Sequence, residues 1–245
     1  EEWLRGKIKE FVYGNKRIDK CLKLLGTQIE DGCKIDICEV GCSIGLTSYQ
    51  IARTYQFVNI HGYDISDEQI NFANKVFKSE RIKFYAHDFM SSLSEKYDIV
   101  TLFDVFEHVP VADRKKFAMN IGIMLKDRGK IIMTVPSHFL TTHNKNSRQN
   151  LLQVIDEEVR LVDLINFADS TNTILSHYEL VSIWNRHDYA HVIFDNYKPL
   201  SDLDFNPVSK VGILQKIKVK LGIDPFKMNI EEKRDLIAEK TGIRV

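Results

Sequence analysis

The sequence predicts an α/β fold: a doubly wound, mostly parallel seven-stranded sheet with a C-terminal antiparallel hairpin and helices on both faces. Three observations carry this. The runs Ile35–Val40, Ile99–Phe103 and Ile131–Val135 are apolar and β-branched, as parallel strands covered on both sides must be. Such runs alternate with amphipathic stretches, the pattern of βαβ units. Near the end, "YELVSIWN" and "YAHVIFDN" are separated only by Arg186 to Asp188, which is hairpin spacing.

The elements follow in order. Residues 1–33 are expected to be a helical segment covering the ligand site. "KIDICEV" reads as a strand and "LTSYQIARTY" as a helix. "FVNIHGYD" is a second strand. "SDEQINFANKVFKS" is a helix with Ser66 at its cap and Gln69 three residues later. "RIKFYAHD" and "YDIVTLFDV" are strands. "VADRKKFAMNIGIMLK" reads as a helix with Pro110 near its start, and "GKIIMTVP" as a strand ended by Pro136. "SHFLTTHNKNSRQN" is polar and reads as a loop or short helix. "DEEVRLVDLINFADST" is helical, and the hairpin closes a domain at 34–197.

From 198 to 245 the composition shifts. "PLSDLDFNP" is a turn-rich linker. Val208, Val211, Leu214, Ile217 and Leu221 then line one helical face, with Lys210, Lys216, Lys218 and Lys220 on the rest. A basic amphipathic helix over 207–222 is expected, either packed on its own domain with its lysines in solvent or docked to a partner enzyme or an anionic membrane surface.

The 245 residues are 44% hydrophobic, enough for one sizeable core. Formal net charge is zero, so no global field draws the chain to nucleic acid or membrane. No apolar run reaches the roughly 20 residues of a spanning helix. The opening "EEWLRGKIKE" lacks a signal core. The cysteines, Cys21, Cys33, Cys38 and Cys42, form no C-x-x-C pair, which argues against zinc. The eight histidines and the acids form no metal spacing such as H-x-x-x-H with a helical carboxylate, so no essential metal is expected. A reducing, cytoplasmic setting is expected, with Cys38 buried in a strand.

Function centres on "EVGCSIGLTS". A glycine turn between strand and helix lets a ligand reach the backbone, and the helix start offers unpaired N–H groups to an anion. A dinucleotide site wants G-x-G-x-x-G, but Ser43 and Leu46 replace its later glycines. A phosphate-binding P-loop wants four residues between glycines and a following lysine, and here neither holds. S-adenosylmethionine offers a carboxylate for the turn and a ribose diol for an acid about 20 residues on. Asp64 stands there. Asp88 and Asp104 also end strands, where open α/β sheets bind ligands.

"EVGCSIG", "GYDIS", "AHDF", "DVFEHVP" and "GKIIMTVPS" resemble, in order, the motifs of class I S-adenosylmethionine-dependent methyltransferases. The resembling branch contains ubiquinone-biosynthesis-like and sugar-modifying enzymes, and the resemblance covers roughly 34–196. It implies that Gly41, Cys42, Ser43 and Gly45 wrap the methionine part, and that Glu39 orients the turn and the amino group. Asp64 would hold the ribose and Ile65 would pack on adenine. Asp88 would accept from the adenine amino group, with the Phe89 backbone beside it. Phe103 and Asp104 would line the methionine side. Ser43 departs from the usual middle glycine.

A hydroxyl acceptor needs a base. His108, just past the fourth strand in "DVFEHVP", is the leading candidate, because imidazole titrates near neutrality. The alternative is that Glu107 and His108 only shape the loop. His138 follows the fifth strand and is the second candidate; His143, His187 and His191 are weaker ones. "DVFE" is not the N-P-P-Y-like motif of base or amide methylation. Residues from Val154 to Phe194 resemble the C-terminal half of enzymes of surface polysaccharide synthesis. Methyl transfer to a hydroxyl or carboxylate oxygen of a sugar or other small molecule is therefore expected, and nucleic acid is not. The other classes are an RNA methyltransferase and a non-catalytic cofactor-binding scaffold. Oligomeric state is not readable.

Overall fold

The computed structural model describes residues 2–29, 32–148 and 155–196. The described residues all fall within one compact unit. The expected linker and helix at 198–245, including the docking segment 207–222, lie outside the described residues.

The elements are α1 (Glu2–Tyr13), α2 (Lys16–Gly26), β1 (Ile35–Val40), α3 (Leu46–Thr54), β2 (Val58–Asp64), α4 (Asp67–Phe77), β3 (Ile82–Ala86) and β4 (Tyr97–Phe103). A 3₁₀ turn (Phe106–His108) follows, then α5 (Arg114–Ile123), β5 (Leu125–Pro136), α6 (His138–Ser147), α7 (Leu161–Thr171), β6 (Ile174–Val181) and β7 (Tyr189–Asp195). The seven strands form one sheet in the order β3-β2-β1-β4-β5-β7-β6. The first five are parallel, and β7 runs antiparallel to both β5 and β6. Strand order reverses between β1 and β4, which opens a crevice at their C-terminal ends.

Alternation along the strands builds a core on each face. Ile37, Ile60 and Ile132 pack in one cluster with Leu25 of α2, Ile51 of α3 and Ile70 of α4. Val100, Leu102, Ile131 and Met133 pack in the other with Phe117 of α5 and Phe167 of α7. Ser66 caps α4 as its sequence suggests, accepting from the Gln69 N–H at 3.3 Å. Cys38 is fully buried, and none of the four cysteines is in a disulfide.

Three boundaries differ from the sequence reading. The helix expected through Lys126 ends at Ile123, and β5 starts at Leu125. Lys126 lies 2.7 Å from Asp36 and 2.9 Å from Asp98, at the starts of β1 and β4, and this double ion pair holds the segment extended. Of the two readings for the polar stretch after Pro136, the helix is the one formed: Ser137 caps α6 by accepting from the Leu140 N–H. Residues 155–160 precede α7 as an irregular strap and are not part of it. The β6–β7 loop spans 182–188, longer than three residues. There the Asp188 carboxylate accepts from the N–H groups of Ile183, Trp184 and Asn185, at 2.7, 2.9 and 2.8 Å, which removes them from the ladder.

No helix among the described residues is long and apolar enough to cross a membrane. None of their His, Cys, Asp and Glu side chains gather in threes that could hold a metal ion.

Candidate functional site

The β1–α3 turn is built from the backbone outward. Gly41 has φ +73° and Gly45 φ +81°, conformations that cost an L side chain about 1–2 kcal/mol. Ser43 also sits at positive φ, 52°. The N–H groups of Gly41 and Cys42 both donate to the Tyr63 carbonyl, at 2.8 and 2.9 Å. The turn is thus fastened to the end of β2. Asp64 fastens it a second time: one carboxylate oxygen accepts from the Ser43 N–H at 2.8 Å, the other from the Ser66 N–H at 3.0 Å. Each oxygen keeps a second lone pair for a ligand.

This turn forms one wall of a cavity of about 490 Å³. Glu39, Gly41, Cys42 and Ser43 of the β1 end line it, with Asp64 and Ile65 from β2 and Phe103, Asp104 and His108 from the β4 side. α1 and α2 supply the opposite wall through Phe11, Asn15, Arg17 and Ile18. The volume is in the range of small-molecule sites, roughly 300–1,000 Å³. Ile65 is 74% exposed at this cavity.

Four expected site residues lie outside the lining. Gly45 caps α3 from behind, where an added Cβ would stand 2.5 Å from the Phe84 ring. The Asp88 carboxylate turns back onto the Met90 N–H at 2.9 Å. The Phe89 ring is buried against Tyr63 and Phe117, and its carbonyl accepts from Asn120. His138 opens α6, with its ring against Phe139.

The electrostatics favour a cationic, hydroxylated ligand. Glu39 is buried, and burial pushes its carboxyl up to about 7 despite the hydrogen bond from the Ser48 hydroxyl. A positive group in the cavity would stabilise its ionised form. The buried Ser43 hydroxyl has no hydrogen-bond partner among the described residues. Asp104, at φ 56°, is ion-paired with Arg17 of α2 and accepts from the Thr134 hydroxyl at 3.4 Å.

His108 occupies the lip of the cavity with its side chain 29% exposed. Its Nδ1 is 2.7 Å from the Ile155 carbonyl and 3.1 Å from an Asp156 carboxylate oxygen. The neutral ring therefore carries its proton on Nδ1, leaving Nε2 as the lone-pair nitrogen. Arg17 and Asp156 are absent from the sequence reading. Arg17 lies in the expected covering segment without a motif of its own, and Asp156 meets His108 only through the fold.

Beside His108, Glu107 is 3% exposed and one of its oxygens has no partner. Burial first, and the nearby Asp156 charge second, push its carboxyl up to about 8. In the unfolded chain it titrates near 4.5. Between those values the unfolded state releases a proton that the folded state keeps, so rising pH costs stability. Glu107→Gln is expected to gain stability over wild type from about pH 4.5 upward, levelling at a few kcal/mol near pH 8. Urea unfolding of both chains across that range checks the sign; a gain that shrinks as pH rises would contradict it.

Comparison with known proteins finds methyltransferases similar to this chain. A family profile described as "Methyltransferase domain" matches residues 38–131. A ubiquinone biosynthesis O-methyltransferase of Coxiella burnetii is 26% identical over 161 residues, 62% of this chain and 61% of that protein. The chain thus matches about three fifths of that relative's length. The Photorhabdus laumondii protein of the same name is 27% identical over 173 residues, 68% of each chain. Among solved structures, magnesium protoporphyrin IX methyltransferase from Synechocystis with bound S-adenosylhomocysteine is similar at TM-score 0.57 and 18% identity. The match covers 73% of this chain and 81% of that one. The N-methyltransferase NodS of Bradyrhizobium japonicum, also with S-adenosylhomocysteine, is similar at TM-score 0.58 and 15% identity, over 74% and 86% of the two chains.

Proposed function

We propose that this chain is a class I S-adenosylmethionine-dependent methyltransferase, an enzyme that moves a methyl group from S-adenosylmethionine to an oxygen of a small polar acceptor; the matching methyltransferase-domain profile and the similar O-methyltransferases support this. The observation that carries the reading is one cavity that holds the glycine turn, Asp64 and His108 together. The fit to the cofactor is physical. Asp64 has acceptor capacity for a diol; among the described residues, buried Glu39 lacks a countercharge and the Ser43 hydroxyl lacks a partner. Gly41 and Ser43 would hold the methionine part, Asp64 the ribose, and Ile65 the adenine.

The bound cofactor supplies a methyl carbon on a sulfonium, whose S–C bond breaks with its electron pair staying on sulfur. The chain's own residues supply alignment and the base. His108 Nε2 takes the acceptor's hydroxyl proton, and the freed oxygen pair forms the new O–C bond. Oxygen is favoured by the base and by relatives named O-methyltransferases. NodS, named an N-methyltransferase, has the same fold, so the fold itself does not choose the atom. A sugar or polysaccharide-related acceptor is supported by the sequence resemblance of 154–194.

Calorimetry with S-adenosylhomocysteine tests the cofactor site. Wild type is expected to bind in the low-micromolar range, about −8 kcal/mol. Asp64→Ala is expected to lose about 1.5–3 kcal/mol by removing charge-assisted hydrogen bonds. Equal affinity in the two chains would remove Asp64 from the site. Labelled cofactor with nucleotide sugars and oligosaccharides then identifies the acceptor; labelled nucleic acid instead would overturn the small-molecule reading.

A further inference from the structure

We infer that Asp156 is a positioning residue for methyl transfer, which, with the Ile155 carbonyl, holds the His108 proton on Nδ1 so that Nε2 is presented as the base. This rests on the reading of His108 as that base. The geometry is a fork: Nδ1 faces the Ile155 oxygen at 2.7 Å and the Asp156 oxygen at 3.1 Å. Carbonyls and ionised carboxylates only accept, so Nδ1 must donate in either charge state of the ring. Histidine free in water prefers the other tautomer, with the proton on Nε2. A ring in that form has no lone pair to offer at Nε2, and a base there fails.

The strap that carries both acceptors is anchored independently of His108. The Glu157 N–H donates to the Glu107 carbonyl at 2.9 Å. Arg114, 7% exposed, donates from Nη1 to the Glu158 carbonyl at 3.1 Å and from Nε to the Val109 carbonyl at 3.3 Å. Its guanidinium also lies 3.3 Å from Asp163 and 4.8 Å above the Phe106 ring. The Thr142 hydroxyl holds the Glu158 carboxylate at 2.9 Å, and Val159 is buried in the core. Supported on both sides, the strap holds its acceptors in place before any ligand arrives, which is what an oriented base requires.

The carboxylate adds what the carbonyl cannot. When the acceptor's proton reaches Nε2, the ring becomes an imidazolium with both N–H groups intact. Its new positive charge then sits 3.1 Å from the Asp156 oxygen. The charged group against the ring is Asp156 on the strap; the Arg17–Asp104 pair lines the same cavity, and Glu107, next in sequence, is pushed toward its neutral form by burial.

The test uses the full chain labelled with ¹⁵N and needs no acceptor. Long-range ¹H–¹⁵N correlation at about pH 8.5, above the ordinary histidine range, reports which ring nitrogen carries the proton. The His108 signal is identified by its loss in His108→Asn. Wild type is expected in the Nδ1–H form. Asp156→Ala is expected to move a major share of the ring to Nε2–H, and Asp156→Asn, which keeps an oxygen acceptor, to move less. Unchanged S-adenosylhomocysteine affinity in both variants would show the cofactor site intact. A wild-type ring in the Nε2–H form, or a tautomer unmoved in Asp156→Ala, would overturn the inference. Should the alanine variant fail to fold, an unmoved ring in Asp156→Asn together with an Nε2–H wild type overturns it, and an Nδ1–H wild type with any shift supports it. Failure of the base reading is separate: it would appear as full turnover in His108 variants, whatever the tautomer.

Discussion

Gly41→Val is expected to abolish cofactor binding while leaving the fold intact. Two costs combine at this position. The backbone is at φ +73°, a region that β-branched residues scarcely enter. An added Cβ would also stand 2.6 Å from Cγ2 of Val105, a residue of the cavity wall. Either Val105 moves into the cavity or the turn rotates, and rotation breaks the Gly41 N–H bond to Tyr63 and displaces Ser43 from Asp64. Affinity should fall by more than about 100-fold, roughly 2.7 kcal/mol, and calorimetry with S-adenosylhomocysteine reads it. Gly32 supplies the control. It has φ +80°, but a Cβ added there would meet nothing within 4 Å, so Gly32→Val carries the backbone strain without the obstruction. Binding lost in both variants, or kept in both, would detach the effect from the cavity.

The parts of this fold that could be read from the sequence are those set by local chemistry. β1, β4 and the core of β5 are rich in β-branched and apolar residues, as strands buried on both faces are. The turn after β1 was readable because Gly41 and Gly45 meet a need of the backbone itself, and Asp64 because it ends β2, where its carboxylate reaches the Ser43 N–H of that turn. What escaped was set by partners distant in sequence. Lys126 looks like the end of a helix until Asp36 and Asp98 are placed under it. Arg17 has no motif, and its partner Asp104 is brought to it by the sheet. Asp88 shows the converse. Its place at a strand end matched the expectation, but a local bond to the Met90 N–H takes up its carboxylate and leaves it outside the cavity.

His108→Ala is expected to lower turnover by roughly 10²–10⁴ on the acceptor found with labelled cofactor, with S-adenosylhomocysteine affinity unchanged. The loss corresponds to about 2.7–5.5 kcal/mol of barrier. A rival account must be separated from this one, because the ring also fastens the strap through the Ile155 carbonyl. Were fastening its whole purpose, the alanine variant would lose stability and would lose activity only through a loosened wall. His108→Asn distinguishes the two. The asparagine amide nitrogen falls close to the place of Nδ1, so it can still donate to Ile155 and Asp156. It has no group in the place of Nε2 and cannot take a proton at neutral pH. If His108 is the base, the asparagine variant melts near wild type and turns over as slowly as the alanine one. If His108 is only a fastener, the asparagine variant recovers both stability and turnover, and the base must be sought elsewhere on the cavity wall.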